Sequence, residues 1–278
     1  MVTIKQEIKT DGNSLMKNKH CEVVIKPSRG GKIRIFSKGS DVCFNAEIDN
    51  LFSTDHCVTL CSKEHRGLLG DYKYKAMLCE HFMAACAICK IDSIDVYLSE
   101  EEFPIFDGSA KVWVELFNKA GIDGKNNDLY TVSEPVYYLN GKTSMVILPD
   151  NELTISYAVN YDHPDLKRRW VSFDKNNLQE IIEARTFGFY KDLKKYQMLG
   201  FAQGVNIDNT VGLMDVGYTT ELRSALEPIK HKILDLFGDL YLTGVSPLNM
   251  RAQILVKEAG HAVHAKVAKE LKSKLIKL

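Results

Sequence analysis

His231 and Asp235 stand four residues apart in His231-Lys-Ile-Leu-Asp235. On a helix, side chains at that spacing leave from one face, so an imidazole and a carboxylate can converge on one point. Two such groups suit a tetrahedral zinc ion, and the same spacing also makes an ordinary surface ion pair. Glu80 and His81 are adjacent within an apolar stretch that includes Met77, Leu78, Phe82, Met83, Ala84 and Ala85. Ionisable groups there are costly to bury unless they are hydrogen-bonded or hold a metal. Neighbouring helical residues point about 100° apart. With His81 on a metal, Glu80 can therefore reach a water there as a general base without being a ligand. The plainer alternative is one hydrogen-bonded core histidine beside a solvent-facing glutamate. Gly260-His261 reads as the start of a helix, whose N-terminus lowers an imidazole's pKa. Keeping His261 protonated then needs an acidic partner, and Asp239, one turn beyond Asp235 on the same face, is the candidate.

Two further stretches carry weaker signals. Arg185-Thr-Phe-Gly-Phe189, followed by Phe201, Ala202, Val205, Ile207 and Val211, suits an apolar groove for a chain-like ligand, or plain core packing. Cys86-Ala-Ile-Cys89 has no second pair at zinc-finger spacing and falls in an apolar helix, which reads as core thiols.

The elements that must position these residues alternate in type. Strands are expected at 21–26, 32–36, 57–61 and 93–98, with a helix over 75–89 that is apolar all round its middle and a second over 110–120. A turn-rich loop spans 103–109. Residues 121–128 (Gly-Ile-Asp-Gly-Lys-Asn-Asn-Asp) read as a linker. After it the same order starts again: strands at 135–139, 143–148 and 153–161, helices at 178–184 and 228–242, a strand at 251–256 and a last helix from His261. The reading is an α+β chain of two similar units, residues 1–122 and 129–278, with helices on mostly antiparallel sheets.

Composition bounds the rest. Of 278 residues, 45% are hydrophobic and 26% charged, which argues against a disordered chain. Lys+Arg and Asp+Glu are both 36, so no global field draws the chain to nucleic acid. No apolar run approaches the ~20 residues of a membrane span, and the first residues lack a signal core, so a cytoplasmic protein is expected. Seven cysteines, an odd number, fit free thiols in a reducing compartment. The lysine-rich run 266–278 reads either as a solvated last helix or as a contact with the inner-membrane surface.

Taken in order, six stretches resemble one family, the zinc-dependent UDP-3-O-acyl-N-acetylglucosamine deacetylases of lipid A synthesis in Gram-negative bacteria. They are Glu80-His81-Phe-Met-Ala-Ala85, Phe103-Pro-Ile-Phe-Asp-Gly-Ser-Ala110, Tyr161-Asp-His-Pro164, Ala184-Arg-Thr-Phe-Gly-Phe189, the run His231-Lys-Ile-Leu-Asp-Leu-Phe-Gly-Asp-Leu-Tyr-Leu242, and Gly260-His-Ala262. The resemblance implies two domains of βααβ sandwich topology with the active site in the cleft between them. It implies zinc held by His81, His231 and Asp235, water completing the site; imidazole and carboxylate ligands do not choose strongly between zinc and Fe2+, which is the other candidate. Glu80 is implied as general base, and protonated His261 as the acid for the leaving amine. Asp239 orients His261, and Thr186 helps stabilise the oxyanion. Phe187, Lys232, Phe189 and Gly204 are implied as substrate contacts, with the acyl chain in the region 189–212. The implied partner is an acylated UDP-sugar, bound by a monomer.

The chain departs from the family pattern at four places. Asp11-Gly-Asn-Ser-Leu-Met16 stands where a Gly-Val-Gly-Leu-His-like loop is usual, and Gly204-Val205 where a glycine pair is usual. Ser224-Ala-Leu-Glu227 replaces a Phe-Glu-Asp-Glu-like stretch, and Val263-His-Ala265 replaces Leu-Asn-Asn. These departures leave two other expectations open: a zinc deacetylase for a different N-acyl amino sugar, and a catalytically idle zinc-binding relative.

Overall fold

The computed structural model describes residues 1–65 and 74–278. It is α+β, and its two five-stranded sheets share one topology. The first runs Ile8–Asn13, His20–Pro27, Ile94–Leu98, Ile33–Phe36 and Cys43–Asn45 in spatial order. The second runs Val136–Asn140, Thr143–Pro149, Ala252–Lys257, Thr154–Val159 and Arg169–Phe173. In each, the central strand is parallel to the strand after it and antiparallel to the one before, and both hairpins are antiparallel. The helices are α1 (Glu80–Cys89), α2 (Lys111–Ala120), α3 (Leu178–Ile182), α4 (Tyr190–Met198), α5 (Glu227–Tyr241) and α6 (His261–Lys274). The first central strand lies between α1 and α2 in sequence, the second between α5 and α6. Even the ends repeat: Val2–Ile4 pairs with Ile122–Gly124, and Tyr130–Val132 with Leu275–Lys277. The doubled pattern in the sequence is thus a doubled topology.

Strand alternation explains which faces are covered. Cys21, Val23 and Ile25 point inward in one sheet, and Ile155, Tyr157 and Val159 in the other. All of α5 is buried, as is α1 from Glu80 to Ala87. Helices buried on every side lie between layers, and here α1 packs against α5. Their approach is close: a Cβ on Gly238 would sit 2.1 Å from the Glu80 carbonyl oxygen. Phe82 anchors the other side of α1 by stacking on Phe103 at 4.8 Å and meeting Trp113 edge-on at 5.1 Å.

Three expectations about elements need correction. The helix expected over 75–89 begins at Glu80, because Lys75–Met77 is a strand paired with Thr59–Cys61 and Leu78 adopts a left-handed φ of 59°. A continuous apolar run does not separate strand from buried helix, and the Met77 N–H donates to the Glu101 carbonyl at 2.7 Å. Within the expected linker, Ile122–Gly124 is a strand. The last helix stops at Lys274, and Leu275–Lys277 is a strand; Val267, Ala268 and Leu271 of α6 face the core. Several elements had no expectation, among them Ile8–Asn13, which contains a turn-like Asp-Gly; the edge strand Arg169–Phe173; and the lysine-rich α4. All seven cysteines are free. Among the described residues no helix is long and apolar enough to cross a membrane.

Candidate active site

The α1–α5 contact brings residues from the two repeats together. His81 lies in the first turn of α1, and His231 and Asp235 lie one turn apart on α5. Asp235 Oδ1 is 3.3 Å from His231 Nε2 and 3.8 Å from His81 Nε2, and the two imidazoles meet edge to face at 4.9 Å. His231 Nδ1 lies 2.9 Å from the Ala184 carbonyl oxygen. A carbonyl only accepts, so Nδ1 carries the proton and the Nε2 lone pair faces the cluster. Burial, and the neighbouring His231, push His81 down to about 3; burial also lowers His231. Burial would raise the Asp235 carboxyl, but Lys232 and the histidines outweigh it and hold it well below the usual carboxylate range. Lys232 is itself buried and donates to Asp235 Oδ2.

Asp235 Oδ1 is buried and has no hydrogen-bond partner among the described residues. An ionised oxygen left so is expensive. Two neutral imidazole nitrogens and this oxygen form a donor set within 4.8 Å, of the nitrogen-and-oxygen kind that zinc and neighbouring divalent ions take. A divalent ion fits these residues.

Beside the cluster stand a carboxyl group and an imidazolium. Glu80 Oε2 accepts from the Val58 N–H at 2.9 Å, and Oε1 lies 3.8 Å from His261 Nε2. Burial raises Glu80 to about 7, with His261 opposing and Asp235 assisting. His261 Nδ1 donates to Asp239 Oδ2 at 2.8 Å. Burial pulls His261 down, yet Asp239 and Asp235 together raise it to about 9. The acidic partner that a helix-start histidine needs is therefore present. Burial would raise Asp239 too, and His261 above all holds it low instead.

Of the remaining expected residues, Thr186, Phe187 and Phe189 line the approach. Thr186 and Phe187 lie on the strand Thr186–Phe189, which pairs in parallel with Thr210–Leu213. The Phe187 ring meets Tyr161 at 5.6 Å and His231 at 6.1 Å, both edge-on. Phe189 meets Tyr161 at 6.1 Å. Thr186, Phe187 and Phe189 line an apolar cavity of about 370 Å³, closed by Leu193, Tyr196, Phe201 and Val205, with Leu15, Met16 and His56 from the first repeat. Gly204 is not among its lining residues. It packs on the N-terminal loop, where a Cβ would come within 2.1 Å of the Ser14 carbonyl oxygen.

Sequence reasoning missed the residues that hold these groups. Arg185 grips Glu227 through Nε at 2.9 Å and a terminal nitrogen at 3.1 Å, and its own N–H donates to the same carboxylate at 2.9 Å. That knot fixes the Ala184 carbonyl against α5, and so the tautomer of His231. His264 was visible only as a departure from the family pattern; it lies fully buried, with Nδ1 2.7 Å from Asp239 Oδ2. The spacing of His261 and His264, three apart on one helix, was the signal available.

Comparison with known proteins points one way. The family model for UDP-3-O-acyl N-acetylglycosamine deacetylase matches residues 1–273. A protein of Chlamydia caviae named UDP-3-O-acyl-N-acetylglucosamine deacetylase is 31% identical over 280 aligned positions, covering 97% of this chain and 95% of its own length. One of the same name from Thermodesulfovibrio yellowstonii is 30% identical, covering 97% of this chain and 90% of its own. A Leptospira biflexa protein of that name is 35% identical over 202 positions, 70% of this chain and 66% of its own. With its doubled α+β topology and near full-length matches, the chain belongs to the UDP-3-O-acyl-N-acetylglucosamine deacetylase family.

Proposed function

We propose that this protein removes the acetyl group from the 2-amino group of a UDP-3-O-acyl-N-acetylglucosamine, releasing acetate, as a step of lipid A synthesis. His81, His231 and Asp235 would hold zinc, or Fe2+ in its place. When bound, such an ion polarises the acetamide carbonyl and acidifies water at the site. The observation that carries the reading is the unpartnered Asp235 Oδ1 facing two neutral imidazoles, with Glu80 and His261 beside it.

The chain's own groups supply the proton transfers. Glu80, buried against Val58 and close to its titration point at neutral pH, takes a proton from the attacking water. His261, protonated through Asp239, gives its Nε2 proton to the nitrogen as the C–N bond breaks, so acetate and a free amine leave. Thr186 donates to the carbonyl oxygen as charge gathers there. Phe187 and Lys232 border the sugar, and the cavity behind Phe189 takes the acyl chain. The chain acts as a cytoplasmic monomer of two domains, residues 1–122 and 129–278, a division in keeping with the strand pairs that tie each repeat's ends together.

The test is acetate release from UDP-3-O-acyl-N-acetylglucosamine by the zinc-loaded protein, compared with UDP-N-acetylglucosamine. The acylated sugar should turn over and the unacylated one hardly at all. Glu80→Gln should lose about 10²–10⁴-fold in kcat, the usual worth of a general base. Equal turnover of both sugars, or an unimpaired Glu80→Gln protein, would overturn the reading.

A further inference from the structure

His264 takes no part in the scheme above, yet it is fully buried beside it. Its Nδ1 lies 2.7 Å from Asp239 Oδ2, the oxygen that also receives His261 Nδ1 at 2.8 Å. An ionised carboxylate only accepts, so both Nδ1 atoms carry protons. On the far side of the ring, His264 Nε2, the accepting nitrogen when Nδ1 is protonated, is 2.9 Å from the Tyr157 hydroxyl, whose one proton it shares with the Ala259 carbonyl oxygen, also at 2.9 Å. Tyr157 is buried within the second sheet, and Ala259 leads into α6. The other Asp239 oxygen, Oδ1, is buried without a partner among the described residues. Thus, among the described residues, only the two imidazole N–H groups hold Asp239 by hydrogen bonds, and of these only His264 is hydrogen-bonded at its second nitrogen.

We infer that His264 is a positioning residue for the acid. Its Nδ1–H clamps the same Asp239 oxygen that receives His261, and the Tyr157 hydroxyl fixes the ring that does so. The clamp sets the direction of Asp239 Oδ2, and with it the aim of His261 Nε2 towards Glu80 and Asp235, 3.8 and 3.9 Å away. Without it the carboxylate is free to turn about its last torsion, and the imidazolium loses its alignment. Hydrogen-bonded supports of this kind typically alter activity by about 10–100-fold. The inference rests on His261 being the acid of the proposed reaction.

Two measurements on the full chain test it. In the first, long-range ¹H–¹⁵N correlation on ¹⁵N-labelled protein reads the protons on the ring of His264. A protonated Nδ1 whose signal shifts in Asp239→Asn is expected; a ring protonated at Nε2 alone would overturn the clamp. In the second, deacetylation of the acylated sugar is followed in three variants. His264→Ala should lose about 10–100-fold in kcat with KM little changed. His264→Asn keeps an N–H near the Nδ1 position and should recover most of that loss. His264→Gln reaches towards Tyr157 instead and should not. Full activity in a folded His264→Ala protein, a loss confined to KM, or equal recovery by Asn and Gln would each overturn the inference. If the wild-type chain releases no acetate, the proposed function fails, while the ring-proton measurement still decides whether the clamp exists.

Discussion

Each oxygen of Asp235 faces a different chemistry. Oδ2 takes the Lys232 ammonium, while Oδ1 turns to the two imidazoles and has no donor. The same economy recurs at Glu227, whose carboxylate accepts from Arg185 and from the backbone of Arg185 and Arg223. Burial would raise its pKa, but these donors bring it below the ordinary carboxylate value. The folded chain therefore binds a proton at Glu227 less readily than the unfolded chain does. The pair's stabilisation is complete above the unfolded carboxyl pKa, near 4.3, and fades as pH falls through the folded one. Glu227→Gln leaves a buried guanidinium without its counter-charge, which costs about 3–5 kcal/mol. Denaturant unfolding near pH 7 should register that loss, and the gap from the parent should narrow in acid. A gap that is small at neutral pH, or constant with pH, would contradict this role. Residues such as these also mark the limit of sequence reading. His231 and Asp235 were legible because four-residue spacing on a helix fixes their relation. Ala184 was not, because a carbonyl has no sequence signature, and His264 offered only its three-residue spacing from His261, which does not say what either ring touches.

At the scale of elements, the site depends on how closely α1 and α5 approach. Gly238 permits it, since a side chain there would run into the Glu80 backbone. In an isolated helix alanine would be the better residue by about 1 kcal/mol. Here Gly238→Ala should instead destabilise the fold by about 1–3 kcal/mol, as overpacked cores do. It should also weaken metal binding, because His81 moves with α1 away from α5. Thermal unfolding and a metal titration check both effects; a variant more stable than its parent would contradict the packing argument. The sequence showed the helix around His81 but misplaced its start. The strand at Lys75–Met77 exists because of its pairing with Thr59–Cys61 and its bond to Glu101, and no local pattern records such partners. Similarly, α4 was missed because its lysines interrupt a short stripe of Tyr190, Leu193 and Tyr196, the three residues with which it closes the cavity behind Phe189.

Across the whole molecule, two repeats of one topology each contribute what the other lacks. The first supplies Glu80 and His81; the second supplies His231, Asp235, Asp239 and His261. The doubled order of strands and helices was readable from periodicity alone, and so was the α+β class. The strand pairs that close each repeat were not, since segments of three residues give too little alternation to detect. An ion held by both repeats binds the folded chain and not the unfolded one. At a hundredfold excess over its Kd it stabilises by about 2.7 kcal/mol, so a chelator should lower the Tm and zinc should restore it. The most direct measurement is the metal content of the purified chain beside that of Asp235→Ala, both folded by circular dichroism. The account predicts one divalent ion per wild-type chain and a loss of most of it in the variant. A wild-type chain that retains no ion in the presence of zinc, or an Asp235→Ala chain that holds it equally well, would contradict it.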